Sequence, residues 1–406
     1  MIELLVYAIG LVLSFLMALA LGMNDASNPT DCTVGSGTLP IRKALVLFAI
    51  FAAAGGILIG PFVMKTVDRG LIPRETMSLE AVAAGSFTAV ASAVIWIVFS
   101  TWRGMPVSTT HSVVGGILGF GLVYCPAAIN WNVLLMVVIA FIVAPLSSMT
   151  LANGMYRFFR WYIARTKEER GYVILISSFA FVISFIVLLS VLGRLLKIGL
   201  EITLLAGFLA SLLVSLIAAR MVKRRSGNGF NPMKSFSYLL IISLCFSAFS
   251  FGANDMANTT GVFITPTEKI IGHMPTSDVM FMLSLLGAAG IAIGGLKWGH
   301  KVVATSAYRV TRLDPVSGAA GEFSNALVIF LFTVLPAFLV GLGIPVSTTH
   351  SSVGSIIGVG LAMRGIGGID RKTVGKILGF WIATLPCVAL ISMGSFWLLR
   401  NLVVIA

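Results

Sequence analysis

One six-residue string, Pro-Val-Ser-Thr-Thr-His, is written twice in this chain, at Pro106–His111 and again at Pro345–His350, 239 positions apart. Each copy follows an apolar run and leads into a glycine-rich one, SVVGGILGFG in the first case and SSVGSIIGVG in the second. Chance does not place six identical residues in matching contexts, so the chain contains two copies of one structural unit.

The medium for that unit follows from composition. Of 406 residues 58% are hydrophobic and 11% charged, against roughly 25% charged in a soluble domain. At about 20 residues per crossing, ten apolar spans stand out: Glu3–Leu21, Ala44–Met64, Leu79–Ser100, Val133–Met155, Val173–Leu192, Thr203–Met221, Tyr238–Ala257, Val279–Leu296, Ser324–Val340 and Val374–Val403. Two shorter apolar pieces, Val113–Tyr124 and Val353–Ala362, follow the two repeats directly. The expected fold class is an all-α polytopic membrane protein of about twelve helices, two of them short or broken. The first span carries Glu3 in place of a basic n-region and runs into a polar string in place of a small-residue cleavage site, so it reads as retained. Cys32, Cys125, Cys245 and Cys387 have neither ligand spacing nor a disulfide pattern.

The formal charge of +13 would suggest nucleic acid in a soluble protein. Here the basic residues sit in short connections, and the positive-inside rule accounts for them without a nucleic-acid partner. Tyr156–Gly171 and Arg220–Lys234 are basic and separated by two spans, so both are assigned to the cytoplasm, with the Gly193–Gly199 turn outside. Counting forward puts Lys297–Arg312 inside. Arg364–Lys376 then falls inside only if Val353–Ala362 crosses, and counting backward gives Arg42 and Lys43 the same condition on the first repeat. The sum is twelve crossings of the cell's inner membrane with both termini outside; a re-entrant path for the two repeats is the alternative. The halves then meet the bilayer in opposite senses, the inverted-repeat plan of secondary transporters. The expected organisation is a first repeat over 1–155, a two-span insert over 156–234 and a second repeat over 235–406.

A second pattern is duplicated. ALALGMNDASNPTDCTVGSG and FSFGANDMANTTGVF share G-x-N-D-x-x-N: Gly22, Asn24, Asp25, Asn28 and Gly252, Asn254, Asp255, Asn258. A carboxylate at the end of an apolar run is costly unless a cation accompanies it. Asp and Asn three apart share a helical face. The glycines and Asn28-Pro29 predict a break that frees carbonyl oxygens. All-oxygen donors suit a hard cation such as sodium.

The repeated Pro-Val-Ser-Thr-Thr-His supplies the opposite chemistry. Proline opens a helix readily, and Ser108, Thr109 and Thr110, with Ser347, Thr348 and Thr349, then bring six hydroxyls to two helix N-termini, which are preformed anion sites. Back-bonding of these hydroxyls within helices is the structural alternative. His111 and His350 end the motif and read as residues hydrogen-bonded to a neighbouring helix, with anion binding, proton transfer, gating or an additional cation as the alternatives. Glu322, in GAAGEFSNAL, and Glu80 are further candidates for gating or an additional cation. TVGSG at Thr33–Gly37 has the small residues that close backbone approach requires. Hydroxyl dipoles do not cancel net charge, so an oxyanion held in the membrane depends on cations at Asp25 and Asp255. The two ligands therefore bind in mutual support, which is the coupling a symporter needs.

The chain has no G-x-x-x-x-G-K-[ST], so it does not itself use ATP, and serine meets histidine only outside a hydrolase-like strand–turn–helix setting. It is not read as an enzyme. Asn258-Thr259-Thr260 matches a glycosylation acceptor but falls in or against the membrane.

With these residues in view the chain resembles the inorganic phosphate transporter (PiT) family. The matching strings are GMNDASN (Gly22–Asn28), TVGSGTLPIRKAL (Thr33–Leu45), PVSTTHSVVGGILGFGLV (Pro106–Val123), GANDMANTTG (Gly252–Gly261), GHKVVAT (Gly299–Thr305), PVSTTHSSVGSIIGVGLA (Pro345–Ala362) and WIATLP (Trp381–Pro386). The resemblance implies twelve membrane helices in two inverted repeats, with sodium or protons as coupling ions and no other cofactor. It implies cation binding at Asn24, Asp25, Asn28, Asn254, Asp255 and Asn258 and phosphate binding at Ser108–Thr110 and Ser347–Thr349, and Glu322 resembles a family glutamate. The chain departs from the pattern at Ala52, where the family often has glutamate, and at Ser27-Asn28-Pro29-Thr30, where it usually has Ala-Asn-Ala-Phe. The leading expectation is sodium-coupled import of inorganic phosphate across a lipid bilayer, and a homodimer is compatible with it. Proton-coupled phosphate or cation-coupled sulfate symport on the same fold is the alternative, and an anion channel or structural membrane protein a more distant one.

Overall fold

The computed structural model describes residues 2–67, 70–195, 199–226, 231–336 and 346–402. Pro345, which opens the second repeat, the 337–340 end of the ninth predicted span, Lys197 of the predicted outer turn and Val403 lie outside these residues.

Among the described residues, ten helices are long and apolar enough to cross a membrane, at the positions of the ten apolar spans. In chain order the helices are α1 (Ile2–Asp25), α2 (Asp31–Gly35), α3 (Ile41–Leu58), α4 (Gly60–Val67), α5 (Leu79–Trp102), α6 (Thr109–Tyr124), α7 (Trp131–Arg165), α8 (Glu169–Leu195), α9 (Leu200–Ser226), α10 (Pro232–Thr259), α11 (Ile264–Ile271), α12 (Ser277–Trp298), α13 (His300–Arg309), α14 (Pro315–Ile329), α15 (Thr348–Arg364) and α16 (Arg371–Leu402). The predicted span Ala44–Met64 is interrupted at Ile59, where Gly60-Pro61 begins a separate helix, because proline supplies no N–H to continue the ladder and disfavours helical backbone just before it. The apolar surface left outward is extensive: Leu135, Met136, Leu209, Leu213, Ile382 and Leu390 are all more than half exposed, as expected where lipid is the solvent.

The helices pair crosswise. α1 packs on α12 and α10 on α3; α5 packs on α1 and α14 on α10; α6 packs on α16 and α15 on α7. The last two pairs close on spaced glycines. Gly115 and Gly119 lie against the backbone of Leu385 and Ala389, and Gly354 and Gly358 against that of Pro145 and Met149. Removing Cβ every fourth residue lets two backbones touch, which explains the glycine-rich runs after both repeats. The partners in each case are proline-containing helices, with Pro145 in α7 and Pro386 in α16. α8 and α9 pack on each other, with α8 also on α10.

Loops meet in two groups. Gly35 sits against Ala307, Gly104 against Lys301 and Thr305, and the Asp370 amide bonds the Val310 carbonyl at 3.0 Å. Separately, the Asn130 amide bonds the Leu71 carbonyl at 2.9 Å and Lys269 Nζ the Glu75 carbonyl at 3.0 Å.

Candidate functional site

Both repeated hexapeptides start helices in the same way. Ser108 and Ser347 are N-caps in extended backbone, each accepting a hydrogen bond from the backbone N–H of the histidine three residues on, His111 and His350, at 3.2 Å. This is the serine cap expected for a helix whose first amides have no intrahelical partner. α6 and α15 are 16 and 17 residues long, about 24–26 Å at 1.5 Å per residue, short of a hydrocarbon core of about 30 Å.

The two Asn-Asp motifs are built differently. The first closes α1 at Asp25 and runs through a turn at residues 26–30 before α2, the predicted break; the second lies inside the last turns of α10, which continues to Thr259. Asn28-Pro29 ends the first, and no proline follows Asn258 directly.

The four segments converge on one buried cluster. Asp25 accepts from Thr109 at 2.9 Å and from Thr349 at 3.1 Å, one hydroxyl from each hexapeptide. Asp255 accepts from Thr348 at 3.1 Å, and the Thr109 hydroxyl also reaches it at 3.4 Å. The amides cross in the same way: Asn28 Nδ2 donates to Thr348 and Thr349 at 3.1 Å each, and Asn258 Nδ2 to Thr110 at 3.0 Å and to Asp255 at 2.7 Å. Asp25, Asp255, Asn28, Asn258 and all four threonines are at most 2% exposed.

Asn24 and Asn254 are buried beside these groups, with their amides on the irregular backbone at the start of the hexapeptides. Asn24 donates to Thr101 at 2.9 Å and to the Met105 carbonyl at 3.1 Å, and accepts from the Val107 amide at 3.0 Å. Asn254 donates to the Val346 carbonyl at 3.1 Å and to Asp255 at 3.3 Å, and accepts from Thr333 at 2.7 Å. Thr333 sits in a π-helical turn, Phe330–Val334, that continues α14, a local widening often found at functional sites. Sequence reasoning missed Thr101 and Thr333, since neither belongs to a repeated string.

His111 and His350 lie on the other side of their helices, because two residues along a helix is about 200° of rotation from Thr109 and Thr348. The rings meet edge to face at 4.4 Å, His350 stacks on Trp381 at 3.8 Å, and His350 Nδ1 bonds the Phe141 carbonyl at 3.3 Å. They border an apolar cavity of about 680 Å³ walled by α7 and α16. Glu80 is exposed in the first turn of α5, outside the central cluster. Glu322 is fully buried in α14, and no hydrogen bond joins it to the central carboxylates.

Electrostatically the cluster is unbalanced. Two fully buried carboxylates share one hydroxyl, and among the described residues no lysine or arginine pairs with either. Asn258 Oδ1 is buried with no hydrogen-bond donor. Carboxylate, amide and hydroxyl oxygens with an orphaned acceptor are the donor set of a hard cation, and charge buried to this degree demands compensation.

The chain is similar to known proteins along nearly its whole length. The chain is 33% identical over 404 residues to a Thermococcus kodakarensis protein provisionally named a phosphate permease, covering 96% of this chain and 97% of that one. It is 27% identical over 438 residues to the inorganic phosphate transporter 2-1 of Arabidopsis thaliana chloroplasts, covering 98% of this chain and 73% of that one. A solved structure described as the sodium-dependent phosphate transporter superposes with a TM-score of 0.89 at 29% identity, over 98% of this chain and 100% of the other. The sequence profile of the phosphate transporter family matches residues 21–392, a stretch that holds both Asn-Asp motifs and both hexapeptides. A match of that extent, on a fold that draws those four segments into one cluster, means that the chain belongs to the phosphate transporter family.

Proposed function

We propose that the chain is a sodium-coupled symporter of inorganic phosphate in which Asp25, Asp255, Asn28 and Asn258 hold sodium and the threonines of the two hexapeptides, with Ser108 and Ser347, hold phosphate. The observation that carries this reading is the Thr109 hydroxyl, placed between both carboxylates. The likeness to a sodium-dependent phosphate transporter supports the choice of ions.

The hydrogen bonds suggest how the ions are coupled. A threonine hydroxyl has one proton to donate; Thr109 and Thr348 give theirs to a carboxylate, and Thr349 shares its between Asp25 and the Val107 carbonyl, both at 3.1 Å. A phosphate dianion needs those same protons. Sodium at the carboxylates takes over their neutralisation, so the hydroxyls turn their protons towards the anion while their lone pairs face the cation. Backbone N–H groups of the first turns of α6 and α15 add donors and helix-dipole field. Without sodium the anion meets two uncompensated carboxylates, and the cost of bringing like charges together in a low-dielectric site excludes it. Asn24 and Asn254 act through position: each ties the backbone entering a hexapeptide to the Asn-Asp segment.

The inverted repeat and twelve crossings belong to the same proposal. Exchanging α1 with α10, α3 with α12, α5 with α14, α6 with α15 and α7 with α16 turns each of the crosswise pairings described above into another of them, which supports two equivalent halves over 1–155 and 235–406. Basic connections on one side of an inner membrane, with termini on the other, follow from the charge distribution. Substrate then reaches the cluster alternately from either side.

The test is phosphate uptake into proteoliposomes. Uptake should require an inward sodium gradient and vanish when choline replaces sodium at fixed pH. Asp25→Asn and Asp255→Asn should each abolish sodium dependence, and variants with normal dependence would remove both residues from the cation site.

A further inference from the structure

The two histidines that end the hexapeptides take no part in the central cluster, and they form the polar point of an otherwise apolar cavity. His111 and His350 are at most 4% exposed, and the Nε2 atom of each is buried with no hydrogen-bond partner among the described residues. His350 Nδ1 lies 3.3 Å from the Phe141 carbonyl. A carbonyl only accepts, so the proton sits on Nδ1 and leaves Nε2 a lone pair. Both rings line the cavity of about 680 Å³ between α7 and α16, whose other walls are apolar. Ile142 and Ile382 in those walls are more than half exposed, so the cavity opens on the lipid-facing surface.

The walls come from both ends of the chain. α7 gives Pro145 and, one turn before it, Phe141; α16 gives Pro386 and, one turn before it, Ile382; one histidine comes from each hexapeptide. A molecule in the cavity therefore touches both halves at once, behind the helix starts whose threonines form the central cluster. What fits there follows from the surface. Hydrocarbon covers the walls but leaves two buried nitrogens unsatisfied, which is costly away from water. Water needs two to four polar partners per molecule, and the walls offer two nitrogens in a space the size of a small-molecule site. An anion finds no donor at His350 Nε2, and a metal ion finds no carboxylate or thiol in the walls to complete its ligands.

We propose that the cavity binds a neutral, lipid-soluble molecule with an apolar body and one hydroxyl group, which enters from the bilayer and donates to His350 Nε2. Such an occupant ties α6 and α15 to α7 and α16. In the transport cycle proposed above the halves move against each other, so a molecule that stabilises one arrangement slows the cycle. Binding depends on the cavity alone; the slowing rests also on the transport reading.

Photolabelling of the purified full-length protein in lipid nanodiscs tests the site. The probe is n-dodecanol carrying a diazirine on its third carbon, and the competitors are unlabelled n-dodecanol and its methyl ether, which keeps the chain and lacks the donor. Peptides of α7 and α16 that line the cavity should label saturably, and the alcohol should protect them about tenfold better than the ether. His111→Phe with His350→Phe keeps an aromatic ring at each position, removes both nitrogens and should abolish that preference. Should this variant not fold, Leu146→Trp, at a half-exposed wall position, fills the space and should remove the protected labelling. Equal protection by alcohol and ether overturns the site, and so does labelling that never saturates, the result if bulk lipid alone fills the cavity. Cavity peptides that stay unlabelled also overturn it, the result if a second copy of the chain covers the opening. n-Dodecanol should slow phosphate uptake by the parent and not by Leu146→Trp. Equal slowing in both is a bilayer effect and overturns the link to transport, whereas no uptake by the parent overturns the transport reading and leaves the binding site standing.

Discussion

The Thr109 hydroxyl is the smallest unit in which the coupling can be examined. It gives its single proton to Asp25 at 2.9 Å and faces Asp255 at 3.4 Å, so its donor is unavailable to an anion until something else neutralises the carboxylates. Thr109→Val keeps the shape and removes the donor. A hydrogen bond to a charged group contributes about 1.5–3 kcal/mol, so phosphate affinity at saturating sodium should fall roughly ten- to a hundredfold, with Thr109→Ser restoring most of it. Calorimetry on the detergent-solubilised protein reads this directly, and equal affinity in the valine variant would take Thr109 out of the phosphate site. Asn258 offers a complementary handle. Its Oδ1 is buried without a donor while its Nδ2 holds Thr110 and Asp255, so Asn258→Asp, which keeps the oxygen and loses the donor, should shift sodium affinity and phosphate affinity in opposite directions. Parallel shifts in the two isotherms would show that the side chain acts only as a spacer.

At the level of helices, the repeated strings made the four converging segments legible before any coordinates, because identical residues imply identical local chemistry. The expectation that the proline opens these helices is not met: Pro106 lies outside α6, which begins at Thr109 behind a Ser108 cap, and α15 likewise begins at Thr348 behind Ser347, because the serine hydroxyl accepts the third amide along and so ends the extended entry itself. Tertiary partners were not legible. Asn24 binds Met105 and Val107 more than eighty positions away, and nothing local in NDASN announces a backbone it must hold. The glycine-rich runs after the hexapeptides show function and packing superposed on one helix. A Cβ at Gly119 would meet the Ala389 carbonyl, whereas Gly379 in α16 has open space around it. Gly119→Ala should therefore lower the thermal midpoint, overpacking of this kind costing about 1–3 kcal/mol, and Gly379→Ala should leave it unchanged or raise it, since alanine is favoured over glycine in a helix by about 1 kcal/mol. A stability ranking in the reverse order, read by thermal unfolding in one detergent, would mean that α6 and α16 do not meet through these glycines.

For the whole molecule the decisive question is whether α6 and α15 cross. The two groups of loop contacts bear on it. Gly35, Gly104, Lys301, Val310 and Asp370 lie in one group of neighbours, joined by α13 beside α2, and Leu71 with Asn130 in another. α6 starts five residues after Gly104 and ends six residues before Asn130, so it leads from the first group to the second. Arg103, Lys301, Arg309, Arg312, Arg364, Arg371 and Lys372 are in or next to the first group, as the positive-inside rule asks of a cytoplasmic face. Single cysteines settle the matter in a background where Cys32, Cys125, Cys245 and Cys387 are replaced by serine. Arg103→Cys and Gly367→Cys should react with a membrane-impermeant maleimide only from the cytoplasmic side of oriented vesicles, and Ala127→Cys only from the opposite side. A re-entrant α6 would put positions 103 and 127 on the same side. Labelling of both from one face would therefore end the twelve-crossing arrangement, and with it the opposed orientation that lets one anion face hydroxyls from two half-helices.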